Sequence, residues 1–429
     1  MRILHVVHHF PPESIAGCER YVLELVQAQA TAGHHVHVLT RSIMSIDDGV
    51  LDDWDARNRV SVSRVWDERP YMDDWYQFHV EAAENDFATL VREFKPEVVH
   101  LHHWLSLSLT LLGRVDLSTR CVVITIHDLF GTCPTGHRIL PDGGLCERDV
   151  NIDNCYPCLL ISGDRPTPFS TDPEELSTML AQRTRALDRE FLSADRIVFA
   201  DDGFRRFYRR FRHIDDDRTR VVPLPVADLP AQSPPANPER IHIGYFGSIN
   251  KWKAPHLLLE AIRLLPEWSK TRISVTILGM ILHTDYREKL FDLATGLDVV
   301  FHDGFYDLHR LPEFAFDFCV FPSTHFESYS FVVSEAIKME VPLVVSDTGA
   351  PAHRIGDCGL TFRQGDARDL SEKIAQLIAS PSLRTRCRDA CRTHKARLPD
   401  MPEHAARLAS LYEDVLRAKS AVHVDRKTS

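Results

Sequence analysis

The chain has 429 residues, of which 44% are hydrophobic and 26% are charged, and its formal net charge is -11. These proportions are ordinary for a globular protein, and the length exceeds what one compact core normally holds, so we expect two domains. An acidic chain lacks the broad basic face that neutralises phosphates, which argues against a general nucleic-acid binder.

The first 40 residues predict a strand, a helix and a second strand. Residues 3–7 and 36–39 are short apolar runs typical of buried parallel strands. Between them, residues 22–29 follow helical spacing, and Gly33 is suited to end that helix. This βαβ pattern predicts a parallel sheet. Further strands of the same kind are predicted at 98–101, 122–127 and 196–200.

Six prolines between residues 223 and 238 predict a linker, after which the pattern restarts. The second half predicts strands at 241–246, 274–278, 299–302, 318–321 and 343–345, and helices at 257–265, 333–339 and 370–378. The sequence therefore predicts an α/β fold with two Rossmann-like, doubly wound domains. The cleft between two such domains is the expected site of function.

The most informative segment follows the strand predicted at 318–321. A loop of small and polar residues leads into a helix that begins near Phe331. Backbone N–H groups at such a helix start suit a diphosphate. Glu327 lies on the loop, and Glu335 lies about one turn inside the helix, where its carboxylate can accept hydrogen bonds from ribose hydroxyls.

The spacing Glu327-x7-Glu335, followed by Ala336 and Gly349, resembles the family-4 retaining glycosyltransferases. Segments 11–20, 125–128 and 247–261 resemble the same family, so the likeness runs from residue 1 to about residue 380. It implies the GT-B fold. Residues 1–225 would bind the acceptor, residues 239–398 the nucleotide sugar, and a last helix at 399–420 would cross back to the first domain.

The resemblance also implies roles for individual side chains. Glu327 would approach the donor sugar, Lys253 would neutralise the diphosphate, and His127 would contact the sugar. The implied donor-binding residues are Gly17, Gly247, Ser248, Lys253, Ser330, Phe331, Val332 and Glu335. The reaction would move a hexosyl group, with retention and without a catalytic metal ion, from a nucleotide-diphosphate sugar to an acceptor hydroxyl in polysaccharide or glycoconjugate biosynthesis. The acceptor would be a glycan, a lipid-linked glycan or a small-molecule glycoside.

Two departures from the family pattern leave alternatives open. The family usually has arginine at Ser248, and usually has Gly-Phe-Gly where this chain has Ser328-Tyr329-Ser330. Serine offers hydrogen-bond donors but restricts the backbone. One alternative is an inactive member that serves as a nucleotide-binding or scaffold subunit, and another is a nucleotide-sugar epimerase of similar fold. Taken alone, Lys253 fits a surface lysine, His127 a core histidine, and Gly17 a simple turn.

Four cysteines punctuate a glycine- and proline-rich insertion at about 131–160. Cys133, Cys146, Cys155 and Cys158 follow the spacing C-x12-C-x8-C-x2-C. Four thiolates gathered by tight turns predict a structural zinc site, and metal binding would then supply folding energy that the insertion lacks. Free thiols, a redox pair and an iron–sulfur cluster are the alternatives.

Residues 204–212 place five arginines among four aromatic residues. We interpret this run as a helix with a buried aromatic side and a solvated arginine side. The alternative is a peripheral membrane contact with anionic lipid head groups or a lipid-linked acceptor.

The first apolar run, at residues 3–7, is too short for a signal peptide. We therefore expect a cytoplasmic protein that can rest at the inner face of the membrane.

Overall fold

Two parallel β-sheets with their helices make up the part of the chain that the computed structural model describes, which is residues 1–42, 48–66, 78–161, 170–232, 240–281 and 283–428. The first unit comprises Met1–Pro141, Cys146–Pro223 and Met401–Ser429. The second unit comprises Leu224–Asp400 together with the short stretch Asp142–Leu145, which the sequence had assigned to the first domain.

The first sheet has seven parallel strands in the order β3-β2-β1-β4-β5-β6-β7. Its strands are β1 (Arg2–Val6), β2 (His35–Arg41), β3 (Ser61–Val65), β4 (Val98–Leu101), β5 (Cys121–Ile126), β6 (Arg196–Phe199) and β7 (Thr219–Val221). The central strands β4 and β5 are buried at every position. Their near-continuous apolar composition follows from this, because water reaches neither side of them.

The helices of the first unit are α1 (Gly17–Thr31), α2 (Asp48–Asn58), α3 (Glu81–Glu93), α4 (Ile152–Ile161), α5 (Pro173–Ser193), α6 (Asp202–Arg209) and, from the end of the chain, α14 (Met401–Thr428). Helix α1 buries Tyr21, Val22, Leu25, Val26 and Gln29, which share one helical face. Gly33 follows its end with φ of 88°, the left-handed geometry that glycine adopts without strain.

The second sheet has six parallel strands in the order β10-β9-β8-β11-β12-β13. They are β8 (Ile241–Phe246), β9 (Ile273–Gly279), β10 (Val299–Asp303), β11 (Phe318–Phe321), β12 (Leu343–Ser346) and β13 (Gly359–Phe362). The helices are α7 (Pro255–Arg263), α8 (Glu267–Lys270), α9 (Thr284–Ala294), α10 (Phe331–Lys338), α11 (Ala350–Arg354), α12 (Ala367–Ala379) and α13 (Pro381–Lys395). In each sheet the first strand in sequence is central, the next two strands extend the sheet to one side, and the later strands extend it to the other. This is the strand order of a doubly wound fold, which confirms the predicted fold class.

The ends of the predicted strands differ from the observed ones by one or two residues at most. The sequence did not predict β3, β7 and β13 or helices such as α3 and α5. The cysteine-rich insertion also differs from the irregular loop expected. Cys155 and Cys158 lie on α4, with Pro157 inside the helix, and the apolar side of α4 packs on α5 through Leu159. The proposed linker at 223–238 is described only to residue 232.

Candidate functional site

A buried carboxylate and a lysine meet in the second unit. Glu327, on the loop between β11 and α10, is 5% exposed, and its Oε2 lies 2.8 Å from Lys253 Nζ. The Ser323 hydroxyl donates a hydrogen bond to the other carboxylate oxygen, Oε1. Both oxygens therefore have partners, so the carboxylate is held in one orientation.

The charge state of Glu327 follows from two opposing effects. Burial alone would raise its pKa, but the ammonium of Lys253, with His325 and Ser323, lowers the pKa to about 2. Glu327 is therefore ionised across the physiological pH range. The pair is a fixed negative charge beside a fixed positive one, and a third of the lysine side chain remains exposed.

Close backbone contacts position Glu327. The Ala350 amide donates a 2.8 Å hydrogen bond to the Glu327 carbonyl. A Cβ placed on Gly349, whose φ is 78°, would lie 2.7 Å from both the nitrogen and the oxygen of the Glu327 backbone. A larger residue at position 349 would therefore displace the loop, which accounts for glycine at the start of α11.

Lys253 is presented by the turn between β8 and α7. The Asn250 side chain accepts hydrogen bonds from the backbone amides of Trp252, at 3.0 Å, and Lys253, at 2.9 Å. The Thr324 amide donates to the Trp252 carbonyl at 2.8 Å. This last hydrogen bond joins the turn that carries Lys253 to the loop that carries Glu327. The two residues, 74 positions apart in sequence, are therefore held next to each other.

The start of α10 combines a buried hydroxyl with backbone strain. Ser330 precedes the helix with φ of 67°, a left-handed value that a residue with a Cβ adopts at a cost of about 1 kcal/mol or more. Its side chain is buried, and its hydroxyl has no hydrogen-bond partner among the described residues. Arg354 stacks on the Tyr329 ring, 3.5 Å from its centre, and donates to the carbonyls of Tyr329 and Ser330.

The remaining donor-binding candidates of this unit lie around the same helix start. Glu335 is buried on α10, and Phe331 and Val332 are half-buried in its first turn. Gly247 follows β8 with φ of 124°, and a Cβ there would lie 3.1 Å from Val332 Cγ1. Ser248 is exposed, and its carbonyl accepts a 2.6 Å hydrogen bond from Tyr245. Unpaired N–H groups, a buried hydroxyl and a lysine can together bind an anion.

The first unit contains the other two predicted residues. Gly17 is the exposed first residue of α1. His127 follows β5, and its Nε2 lies 3.1 Å from His102 Nδ1. Beside it, Asp128 contacts His103, with Oδ2 and Nε2 3.0 Å apart.

Sequence reasoning missed a cluster of buried histidines behind His127. His5, His100 and His102 are the group of three, among the described residues, whose metal-ligating atoms lie within 4.8 Å of one another. A signal was available, because His100 and His102 occupy alternate positions of one predicted strand and its end and therefore share a face of the sheet. Their ring nitrogens already have protein partners, which are described below.

The four cysteines of the insertion do not form such a group of three. All four are half-buried, and none of them is in a disulfide. Burial raises the pKa of Cys155 to about 11, and the neighbouring Cys133, Cys146 and Cys158 contribute to the increase. The zinc site stays a prediction.

The arginine-rich helix α6 agrees with the simpler interpretation of its sequence up to Arg209, where the helix ends, whereas Arg212 beyond it is buried. It buries Phe204, Phe207 and Tyr208. The arginines of the run pair with nearby carboxylates: Arg205 and Arg206 with Asp202, Arg209 with Asp216, Arg210 with Glu147, and Arg212 with Asp188. A lipid contact at this helix stays a prediction. Across the described ranges, every helix is too short or too polar to cross a lipid bilayer.

Comparisons with known proteins assign both halves of the chain. The family model described as a glycosyl transferase 4-like domain matches residues 16–225, and the model for glycosyl transferases group 1 matches residues 230–394. Curated protein sequences gave no match.

Solved structures resemble the chain over nearly its whole length. Sucrose-phosphate synthase from Thermosynechococcus elongatus is 17% identical, with a TM-score of 0.70 over 97% of this chain and 99% of that one. The Anabaena protein HepE in complex with UDP is 14% identical, with a TM-score of 0.65 over 96% of this chain and 100% of that one. WaaG, a glycosyltransferase involved in lipopolysaccharide biosynthesis, is 14% identical, with a TM-score of 0.61 over 96% and 99%. At these identities the likeness shows the shared fold.

Proposed function

This chain is a glycosyltransferase of the GT-B type, and we propose that it moves a hexosyl group from a nucleotide-diphosphate sugar to an acceptor hydroxyl with retention of anomeric configuration. The observation that carries the proposal is the pairing of the buried Glu327 with the half-buried Lys253 next to the strained start of α10. A fixed charge pair of this kind suits a reaction that separates charge, because the leaving diphosphate becomes negative while the sugar becomes positive.

In this proposal the two charges act on opposite sides of the breaking bond. Lys253 neutralises the departing diphosphate, and its partly exposed ammonium supports that role. Glu327 lies near the sugar and stabilises the positive charge that develops on the ring. Its low pKa, about 2, supports this, because a carboxylate must be ionised to act in this way.

We propose that the nucleotide occupies the start of α10. The backbone N–H groups of Phe331 and Val332 and the Ser330 hydroxyl bind the diphosphate, and Glu335 binds the ribose. Gly247 and Ser248 line the same end of the sheet. HepE has been solved with UDP and with UDP-glucose, which makes uridine nucleotides the first donors to test.

For the first unit, we propose that His127 contacts the donor sugar and that Gly17 lets the backbone approach the phosphates. Both follow the family resemblance. The proposed acceptor is a hydroxyl of a glycan, a lipid-linked glycan or a small-molecule glycoside, and its identity depends on loops outside these motifs.

We also propose a structural zinc ion at the four cysteines. The chemistry of the insertion supports it, because Arg138 and Arg183 are fully buried there and contact backbone carbonyls and cysteines. A tetrathiolate zinc centre carries two negative charges and would balance the two guanidinium groups. The sulfur atoms would have to move closer for this.

Metal analysis of the purified chain tests the zinc proposal. We expect about one zinc per chain, and chelation should lower the melting temperature by several degrees, because bound metal contributes to folding. Cys155→Ser should lose the metal, while Cys18→Ser, on a cysteine outside the insertion, should keep it. A chain purified without zinc that is unaffected by chelator would contradict the proposal.

The transferase proposal is tested with the full chain and a panel of nucleotide sugars. We expect a UDP sugar to raise the melting temperature and to be slowly hydrolysed without an acceptor. NMR of the released sugar at early times should show the anomer of the donor. Nucleotide binding without turnover would favour a scaffold subunit, and recovery of an epimerised nucleotide sugar would favour an epimerase. Absence of nucleotide binding would contradict all three.

A further inference from the structure

A continuous line of hydrogen bonds leads from His127 into the core of the first unit. His127 Nε2 lies 3.1 Å from His102 Nδ1, and His102 Nε2 lies 2.9 Å from His5 Nδ1. His5 Nε2 then contacts the side-chain oxygen of Gln29 at 2.7 Å. The rings of His5 and His102 are nearly parallel, with their centres 5.2 Å apart. The line joins β1, β4 and β5 to helix α1.

The line of hydrogen bonds continues beyond Gln29, with donors and acceptors in the same order. The Gln29 amide donates to the Tyr412 hydroxyl at 3.5 Å, on α14. That hydroxyl lies 2.7 Å from His100 Nδ1, and His100 Nε2 lies 2.7 Å from the Thr125 hydroxyl. Every ring nitrogen of His5, His100 and His102 therefore has a partner. The three rings need no metal ion to satisfy them, which argues against a metal site there.

Burial keeps these imidazoles uncharged. It lowers the pKa of His5 to about 4 and that of His127 to about 3, and it places the pKa values of His100 and His102 well below 6.5. A neutral imidazole carries one proton, so it donates from one nitrogen and accepts at the other. The nitrogen that carries the proton on one ring therefore determines which nitrogen carries it on the next ring.

Gln29 fixes that direction. Its amide nitrogen faces Tyr412, so its oxygen faces His5 and can only accept. His5 must therefore carry its proton on Nε2 and accept at Nδ1. His102 must then donate from Nε2 to His5 and accept at Nδ1. By the same rule His127 must donate from Nε2, which leaves the lone pair on its Nδ1.

We propose that Gln29, acting through His5 and His102, fixes His127 as the Nε2–H tautomer. In this tautomer Nδ1 can only accept a hydrogen bond, so a sugar hydroxyl that contacts it must be the donor, and this use of the tautomer rests on the proposed function. Gln29, His5 and His102 are positioning residues, because they act only through His127. Donors aligned in one direction strengthen one another, which adds to the preference for one tautomer.

The tautomer is measured directly by two-bond ¹H–¹⁵N correlation NMR on the full chain labelled with ¹⁵N-histidine, without ligand. His127→Gln identifies the His127 signals by removing them. We expect a protonated Nε2 and an unprotonated Nδ1 in the native chain. The opposite pattern, with the proton on Nδ1, would overturn the proposal whether or not any variant folds.

A pair of variants on α1 tests the role of Gln29. Gln29→Leu removes the fixed acceptor, so the His127 signals should change to those of mixed tautomers. Gln27→Leu is the matched control on the same helix, because Gln27 contacts Asn58 instead, and it should keep the native pattern. A native pattern in Gln29→Leu would show that Gln29 does not set the tautomer.

Kinetics with UDP-glucose form the second readout. Loss of one oriented hydrogen bond should lower the kcat for donor hydrolysis about tenfold in Gln29→Leu, with a smaller change in KM. The NMR result decides the tautomer even for a chain that turns over no nucleotide sugar. Failure of the proposed function is therefore distinguishable from failure of this inference.

Discussion

The two units bury polar side chains in opposite ways. In the first unit, four histidines are uncharged and belong to one line of hydrogen bonds, in which each ring donates from one nitrogen and accepts at the other. In the second, Glu327 keeps its charge because Lys253 lies 2.8 Å away. Desolvation opposes charge at both places, and the difference lies in whether an opposite charge is within reach. A neutral network orients groups, whereas an ion pair supplies an electric field.

The strongest test of this contrast is to remove the charge in the second unit. Glu327→Gln keeps the shape and loses the negative charge, so kcat should fall by about 100- to 1000-fold, as expected when preorganised charge is lost from a transition state. Glu340→Gln is the matched control. Glu340 is also buried and paired, with Lys395 and Arg392, but it lies beyond the end of α10. Equal losses in both variants would mean that Glu327 acts only on stability.

Removing the positive partner should have a smaller effect on rate and a distinctive effect on pH. Lys253→Met should weaken UDP binding about 10- to 100-fold, because hydrogen bonds to charged groups contribute about 1.5–3 kcal/mol. It should also raise the pKa of Glu327, since burial then acts against a weaker opposing charge. The acid limb of the pH–rate profile should move to higher pH. An unchanged acid limb would contradict the pairing as the cause of the low pKa.

The pH dependence of stability separates the two regions. The folded-state pKa of His5, about 4, lies below the ordinary 6.5, so its stabilising contribution is present above pH 6.5 and is lost as pH falls toward 4. The contribution of Glu327 is present above pH 4.5 and is lost only as pH falls toward 2. Urea unfolding at several pH values should show stability declining from about pH 6.5, by at most about 1.4 kcal/mol per pH unit for each proton taken up.

His5→Gln should reduce this slope between pH 6.5 and 4.5, and Glu327→Gln should leave it unchanged in that range. A native chain whose free energy of unfolding stays constant from pH 6.5 to 5 would contradict the neutral state of the histidine network.

The smallest expected effect concerns the strained start of α10. Ser330→Gly relieves a left-handed φ of 67° and should stabilise the free protein by about 0.5–1 kcal/mol, which is a rise of a few degrees in melting temperature. The same variant loses the hydroxyl proposed to bind the diphosphate, so UDP should add less stability to it. Ser328→Gly is the control, since the Ser328 backbone is not left-handed. It should not raise the melting temperature.

Local patterns explain why so much of the fold was predictable. Strands such as β1, β4 and β11 are short apolar runs bounded by turns, and parallel strands covered on both faces leave that signal in any context. Lys253 and Glu327 were predictable only through the family motifs, because no local rule brings residues from two separate turns together. The contact depends on Asn250 and Thr324, whose hydrogen bonds exist only in the folded chain.

The histidine line lay beyond sequence reasoning for a different reason. His5 stands in an apolar strand, and its partners come from α1 and α14, far apart in the chain. Strand periodicity shows that His100 and His102 share a face of the sheet, but it does not predict that Gln29 and Tyr412 contact the histidines on that face. Likewise, helix α4 was missed because its glycine- and proline-rich surroundings and the internal Pro157 read as a loop.

Helix α14 has a consequence for how the protein is made. Tyr412 completes the hydrogen bonds of His100, and His404 accepts a hydrogen bond from Tyr21, yet both residues come after the second unit in the chain. The second unit is synthesised whole before the first can close its own interior. A fragment that stops at Pro223 would expose β4 and β5 to water where α14 now covers them, so separate expression of this unit requires an internal deletion that joins Pro223 to α14.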